Sequence, residues 1–148
     1  MSNLFLPVAV FTAALFLSGC NQQSVSTHEI RFASMKDIRN INPHLYLGEM
    51  SAQAMVFEPL VMNTPDGKII PWLAKSWDIS ADGTIYTFHL RPNVRYTDGT
   101  PFTAQSVKQN IEAVLANKPR HAWLDMINEI DHGEALDELT FRLYLKHP

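Results

Sequence analysis

The stretch 57–77, FEPLVMNTPDGKIIPWLAKSW, combines two short apolar runs, one turn sequence and two tryptophans. Proline fixes φ and glycine accepts positive φ, so residues 65–67 predict a tight turn between the two apolar runs. Pro71 cannot donate to a β-ladder, so the second run is expected to end as a strand at that residue. The pattern therefore predicts a β-hairpin around residues 60–70.

A second hairpin is predicted at residues 77–90, where Asp82-Gly83 separates two strand-like runs. His89 in this hairpin is interpreted as a hydrogen-bonded structural side chain. Trp72 and Trp77 lie at the junction of the two hairpins, and large aromatic side chains at such a point are expected to pack in the core. The middle of the chain is therefore predicted to be rich in β-structure.

Helical periodicity is clearest in the segment 104–116, which carries an apolar stripe, and Thr103 before it is a suitable N-cap. Pro119 is expected to stop this helix, and a second helical segment is predicted at residues 120–128. A short helix is predicted at residues 50–57. Alternating apolar and polar residues predict further strands at 29–34, 130–132 and 140–146. Together these patterns predict a mixed α/β fold.

The first 20 residues contain no charged side chain, and residues 4–17 are almost wholly apolar. This run is short for a membrane span and is typical of the apolar region of a signal peptide. Leu17-Ser18-Gly19-Cys20 resembles the lipobox of bacterial lipoproteins, in which the cysteine is acylated; the alternative is an incidental cysteine. Cys20 is the only cysteine, so it cannot form a disulfide within the chain. We expect a lipoprotein signal peptide at 1–20, a polar tether at 21–28 and a folded part at 29–148.

Charge and motifs limit the function classes. The formal charge of −3 leaves no basic stripe of the kind that drives nucleic-acid binding, so nucleic acid is not expected as a partner. The sequence contains no HExxH, GxSxG, P-loop or CxxC motif, and its six histidines show no two-ligand helical spacing. Binding is therefore favoured over catalysis, and an enzyme is the disfavoured alternative.

Several phrases of the sequence resemble the N-terminal lobe of family 5 extracellular solute-binding proteins of ABC importers. FEPLV, IPWLAKSW and TFHLRPNVRYTDGTPFTAQSV correspond to the scaffold of that family, whereas NPHLY (residues 42–46) and RHAWL (residues 120–124) are typical of its nickel and metallophore branch. The resemblance implies a two-lobed fold of the periplasmic-binding-protein type II, in which residues 29–148 form part of the N-terminal lobe. It also implies a chain that is truncated relative to the family.

The same resemblance implies a substrate-binding lipoprotein that serves the permease and ATPase subunits of an ABC importer. Such a protein is exported and lipid-anchored at the periplasmic or extracellular face of the cell membrane. The implied ligand is nickel or a metal–chelator complex, and no other cofactor is expected. Oligopeptides or dipeptides are the alternative ligand, and a truncated remnant without function is the alternative for the whole chain.

The ligand-binding residues that the resemblance implies are Arg120, Trp123, Tyr46 and Met50. In this interpretation Arg120 holds a carboxylate of an organic metal chelator, and Trp123 stacks over the ligand. The chemistry agrees, because a guanidinium binds carboxylates bidentately and a spacing of three residues places both side chains on one helical face. The metal ligands stay unassigned, with His44 and His121 as candidates.

Each of these assignments has a structural alternative. Arg120 and Trp123 could instead be a surface arginine beside a core tryptophan, and Met50 a core residue. For His44 the preferred interpretation is a loop histidine without a ligand. A single partial lobe is expected to bind the family's ligand poorly by itself and to expose a sheet edge at residues 140–146.

Overall fold

The computed structural model describes residues 33, 38, 41–45, 50–121 and 125–148. All helices and strands of this part belong to one compact unit, Lys36–Pro148. The predicted signal peptide, the tether and Cys20 lie outside the described residues, as does nearly all of the strand predicted at residues 29–34. None of the helices that the structure describes is long and apolar enough to cross a membrane.

Short helices and antiparallel strands make up the described part, which confirms the predicted mixed α/β class. In chain order the elements are a 3₁₀ turn at Pro43–Leu45, α1 (Met50–Ala54), β1 (Val61–Asn63), β2 (Ile69–Pro71), β3 (Ala74–Ile79), β4 (Ile85–Leu90), α2 (Ala104–Ala116), α3 (Lys118–His121), α4 (Asp125–Glu129), β5 (Ile130–Ala135) and β6 (Thr140–Leu145).

Two antiparallel sheets contain these strands. The β1–β2 hairpin is a sheet by itself, with Met62 opposite Ile70, and it confirms the hairpin predicted around residues 60–70. The second sheet has the order β3-β4-β6-β5. Its β3–β4 hairpin confirms the second predicted hairpin, although β3 already begins at Ala74, which pairs with Leu90. The β5–β6 hairpin joins it because β6 pairs with β4.

The sheet edge predicted at residues 140–146 is wrong. Strand β6 is a central strand, paired with β4 on one side and β5 on the other, and the edges of this sheet are β3 and β5. The alternation of apolar and polar residues along a strand has the same period at an edge and in the middle. The pattern therefore predicted the strand but could not predict its neighbours.

Phe141 in β6 is the centre of the core, with 1% of its surface exposed. Its ring stacks on Phe88 of β4 with ring centroids 6.4 Å apart. Helix α2 covers the same face of the sheet through Val107, which is buried, and Ile111. Gly133 of β5 leaves the space that the Phe141 ring fills, since a Cβ atom at Gly133 would lie 2.9 Å from that ring.

The two tryptophans of the hairpin junction differ from the expectation that both pack in the core. Trp72 lies in the bend between β2 and β3 and is 38% exposed. Trp77 is half-buried in the edge strand β3, opposite Phe88. A residue in a bend belongs to neither sheet face, so the core prediction is wrong for Trp72.

Three Asp-Gly turns repeat one local structure, at Asp66-Gly67, Asp82-Gly83 and Asp98-Gly99. In each of them the glycine has a positive φ, between 73° and 87°, and its N–H donates to a carbonyl three residues earlier. Gly83, for example, joins β3 to β4, and its N–H donates to Ser80 O at 2.9 Å. Because side chains other than glycine are disfavoured at this φ, the Asp-Gly pairs correctly predicted these turns.

Helix α2 has the bounds that the sequence predicts. Thr103 is its N-cap and forms a capping box with Ser106. The helix ends with Asn117 as its C-cap, two residues before the expected stop at Pro119, which instead lies in the first turn of α3. Proline is tolerated there because the first N–H groups of a helix have no intrahelical acceptor. The predicted helix 120–128 corresponds to parts of α3 and α4, with residues 122–124 outside the described residues.

Candidate functional site

Arg120 is the candidate ligand-binding residue that the structure describes best. It lies in α3, and its backbone N–H donates to Asn117 O at 2.9 Å, directly after the C-cap of α2. The side chain is exposed. Within the described residues, no hydrogen bond or ion pair joins the guanidinium to another side chain. An exposed guanidinium without a protein carboxylate beside it has N–H donors available for a carboxylate ligand.

The other predicted site residues are described only in part. Tyr46 and Trp123 lie outside the described residues, and their predicted roles stay predictions. Met50 is the first residue of α1, but its side chain is not among those described. The same holds for the side chain of His121, the last residue of α3.

His44 lies in the 3₁₀ turn Pro43–Leu45, and it is half-buried. Its backbone N–H donates to Asn42 Oδ1 at 3.0 Å. Its Nε2 atom lies 2.9 Å from Oδ1 of Asn110, in the middle of α2. The structure therefore connects the NPHLY loop to the helix that precedes Arg120.

Sequence reasoning missed Asn110. Polar residues on the exposed side of a helix carry no signal of a particular partner, and 66 residues separate Asn110 from His44. Only the tertiary fold brings these two side chains together.

Metal-ligating side chains form no cluster among the described residues, which do not include the side chain of His121. No group of three or more histidine, cysteine, aspartate or glutamate side chains there is placed to hold a metal ion.

The face of the larger sheet opposite Phe141 is polar, and its side chains pair with one another. His89 Nε2 lies 2.8 Å from Asp78 Oδ2, which confirms the structural role predicted for this histidine. Tyr144 donates to Glu134 Oε2 at 2.9 Å, and its ring stacks on His132 with centroids 4.3 Å apart. A shallow depression on this face is lined by Asp78, Ile79, Ser80, Ile85, Thr87 and Arg142. Because these polar groups already have partners on neighbouring strands, we interpret the face as a solvated surface.

Carboxylates in the turns have perturbed pKa values for local reasons. Hydrogen bonds from the Ser80 hydroxyl and the Thr84 backbone N–H lower the pKa of Asp82. The hydroxyl and the backbone N–H of Thr100 likewise lower the pKa of Asp98. These hydrogen bonds close Asp-Gly turns, so the perturbed groups report turn geometry and do not mark a catalytic site.

Comparison with known families adds to this geometry. The family model of the bacterial extracellular solute-binding proteins, family 5 Middle, matches residues 68–148, which is more than half of the chain. The matched part begins before β2 and includes the whole four-stranded sheet, α2 and α3.

Two curated relatives match most of the chain. The nickel-binding periplasmic protein of Escherichia coli K12 is 46% identical over 119 residues, which are 80% of this chain and 23% of the relative. The periplasmic oligopeptide-binding protein OppA of the same organism is 30% identical over 131 residues, covering 76% of this chain and 24% of the relative. The chain thus spans about a quarter of the length of these relatives.

A solved structure has the same fold in the part that the chain covers. The crystal structure of NikA from Brucella suis in complex with Fe(III)-EDTA superposes with a TM-score of 0.72 at 46% sequence identity. The match covers 74% of this chain and 22% of that chain.

Proposed function

The chain belongs to the bacterial extracellular solute-binding proteins of family 5, and on that basis we propose that it forms part of the substrate-binding component of an ABC importer. The family is one of binding proteins, which agrees with the expectation of binding rather than catalysis. The partners of such a component are the permease and ATPase subunits of the importer. The chain spans about a quarter of the length of its curated relatives.

We propose nickel, carried as a complex with a carboxylate-bearing chelator, as the ligand. The observation that carries this proposal is the exposed guanidinium of Arg120, which makes no ion pair within the described residues. The named relatives, one nickel-binding and one solved with Fe(III)-EDTA, support the same ligand class.

Arg120 is suited to such a ligand because its planar fork of N–H donors matches the two oxygens of a carboxylate. In this proposal Trp123 stacks over the chelate, and Tyr46 and Met50 approach it from the NPHLY side. Selectivity then depends on the carboxylates of the chelator as well as on the metal.

A peptide ligand is the second candidate, and the similarity to an oligopeptide-binding protein favours it. A peptide also ends in a carboxylate, so Arg120 alone does not distinguish the two ligand classes. A truncated remnant without binding function is the remaining alternative.

We further propose that the protein is exported and held at the membrane by acylation of Cys20, as a lipoprotein at the periplasmic or extracellular face. The support is the sequence alone, an apolar run followed by Leu17-Ser18-Gly19-Cys20. Several acyl groups on Cys20 would anchor the protein stably, whereas a single acyl group gives only reversible membrane binding.

A chimera tests the proposed ligand. The 119 aligned residues of the E. coli nickel-binding periplasmic protein are replaced by those of this chain, which restores a full-length protein. Calorimetry with nickel–histidine and Fe(III)-EDTA, against a panel of di- to pentapeptides, should show binding of the chelates only. Binding of peptides without chelates would support the second candidate, and binding of neither by a folded chimera would support the remnant.

A further inference from the structure

Two hydrogen bonds of His44 hold the turn Pro43–Leu45 in place. The N–H of His44 donates to Asn42 Oδ1 at 3.0 Å, which closes the turn locally. The imidazole then reaches Asn110 Oδ1, 2.9 Å from Nε2. A loop held by one local and one long-range hydrogen bond has far fewer accessible conformations than a loop without them.

Asn110 lies on a rigid support. Helix α2 is capped by Thr103 and packs on β5 and β6, with Val107 buried against the sheet. From Asn110 the helix continues for six residues to Ala116, about 9 Å along its axis. The connection to Arg120 is hydrogen-bonded as well, because the N–H of Arg120 donates to Asn117 O.

We propose that His44 is a positioning residue, which holds the turn preceding Tyr46 on the same helix that leads to Arg120. This inference rests on the proposed function, since it concerns two residues assigned to the ligand site. One helix then sets the spacing between the NPHLY loop and the RHAWL segment.

The protonation of the imidazole ring follows from the contact. Asn110 presents its carbonyl oxygen, which only accepts, so His44 donates through Nε2–H. In the neutral ring, Nδ1 then carries the lone pair. The hydrogen bond to Asn110 thus positions the loop and occupies Nε2.

Amide hydrogen exchange of the purified full chain tests the hydrogen bond between His44 and Asn110. His44→Ala and Asn110→Ala should each speed exchange at residues 44 and 45 by about fivefold, as expected for the loss of one hydrogen bond. The double variant should show no further increase, and His44→Gln, which keeps a side-chain N–H donor, should restore part of the protection. Gln109→Ala, on the exposed side of the same helix, is the control and should leave both amides unchanged.

Unchanged exchange in both single variants, or additive effects in the double variant, would overturn the proposal. A second measurement is the ring nitrogen spectrum of the full chain, in which His44 should be the Nε2–H tautomer. The Nδ1–H tautomer would contradict the hydrogen bond to Asn110 Oδ1 on which the proposal rests.

Failure of the proposed function has a different signature. It is measured in the chimera, where a folded protein that binds no metal chelate would contradict the proposed ligand. The exchange data of the full chain would still decide whether His44 holds the loop on α2.

Discussion

Gly133→Ala should destabilise the chain, because the new methyl group has no room. An ideal Cβ at this position lies 2.9 Å from both Cε2 and Cζ of Phe141 and 3.5 Å from Cγ2 of Ile111. The Phe141 ring is 1% exposed and stacked on Phe88, so it cannot move away into solvent. The methyl group and the ring therefore overlap unless the sheet or α2 shifts.

The magnitude follows from two opposing terms. Overpacking of a buried site costs about 1 to 3 kcal/mol. Alanine in a strand recovers about 0.5 to 1 kcal/mol relative to glycine, because the glycine loses more backbone entropy on folding. Since two ring atoms are too close and both belong to a rigid side chain, we expect a net loss of about 1 to 2 kcal/mol in the free energy of unfolding.

Urea denaturation of the full chain measures this loss, and a double-mutant cycle assigns it to Phe141. In the Phe141→Leu background the ring is gone, so Gly133→Ala should cost less than about 0.5 kcal/mol. Ser76→Ala in the edge strand β3 is an exposed control, expected to change stability by less than about 0.5 kcal/mol. A neutral Gly133→Ala, or an equal loss in both backgrounds, would refute the packing that we describe.

Three further predictions concern the turns, the anchor and the isolated chain. The pKa of Asp82 and of Asp98 is lowered from the ordinary value of 3.8, so their contribution to stability is present at higher pH and is lost as pH falls through the folded-state pKa. The urea midpoint should thus fall below about pH 4, less steeply in Asp82→Asn and Asp98→Asn, and identical profiles for all three proteins would contradict this reasoning. Cys20→Ala should move the protein from the membrane fraction to the soluble fraction, whereas a variant that stays in the membrane pellet would show that the apolar segment is itself the anchor. The chain by itself should give a flat calorimetric titration with nickel–histidine, since an exposed ion pair contributes less than about 1 kcal/mol, and a one-to-one isotherm at low micromolar would show the opposite.

Local signals account for the parts of the fold that the sequence predicts. Helix α2 starts and ends as predicted because Thr103 and the apolar stripe act within a few residues. The hairpins follow from Asp-Gly pairs, which require the positive φ that the structure shows at their glycines. These features depend on neighbours along the chain, so no knowledge of the tertiary fold is needed.

The features that sequence reasoning missed depend on contacts between distant residues. The central place of β6 results from its pairing with β4, more than fifty residues away, as in the pair Phe88 and Phe141. The exposure of Trp72 depends on the bend in which it lies, and composition alone does not reveal it. The same holds for the candidate site, where the role of Arg120 came from a local motif but the link between His44 and Asn110 required the fold.

The central claim is that Arg120 binds a carboxylate of the metal chelate. The most direct test is the affinity of the chimera for metal chelates, compared between two variants that each remove one cationic side chain. Arg120→Ala removes a charge-assisted contact and should weaken binding of nickel–histidine and Fe(III)-EDTA by about ten- to a hundredfold, without changing the melting temperature of the unliganded protein. Lys118→Ala removes a cation two residues away in the same helix α3 and should change affinity by less than about twofold. Equal losses in both variants, or an unchanged affinity in Arg120→Ala, would contradict the assignment of Arg120 as the carboxylate-binding residue.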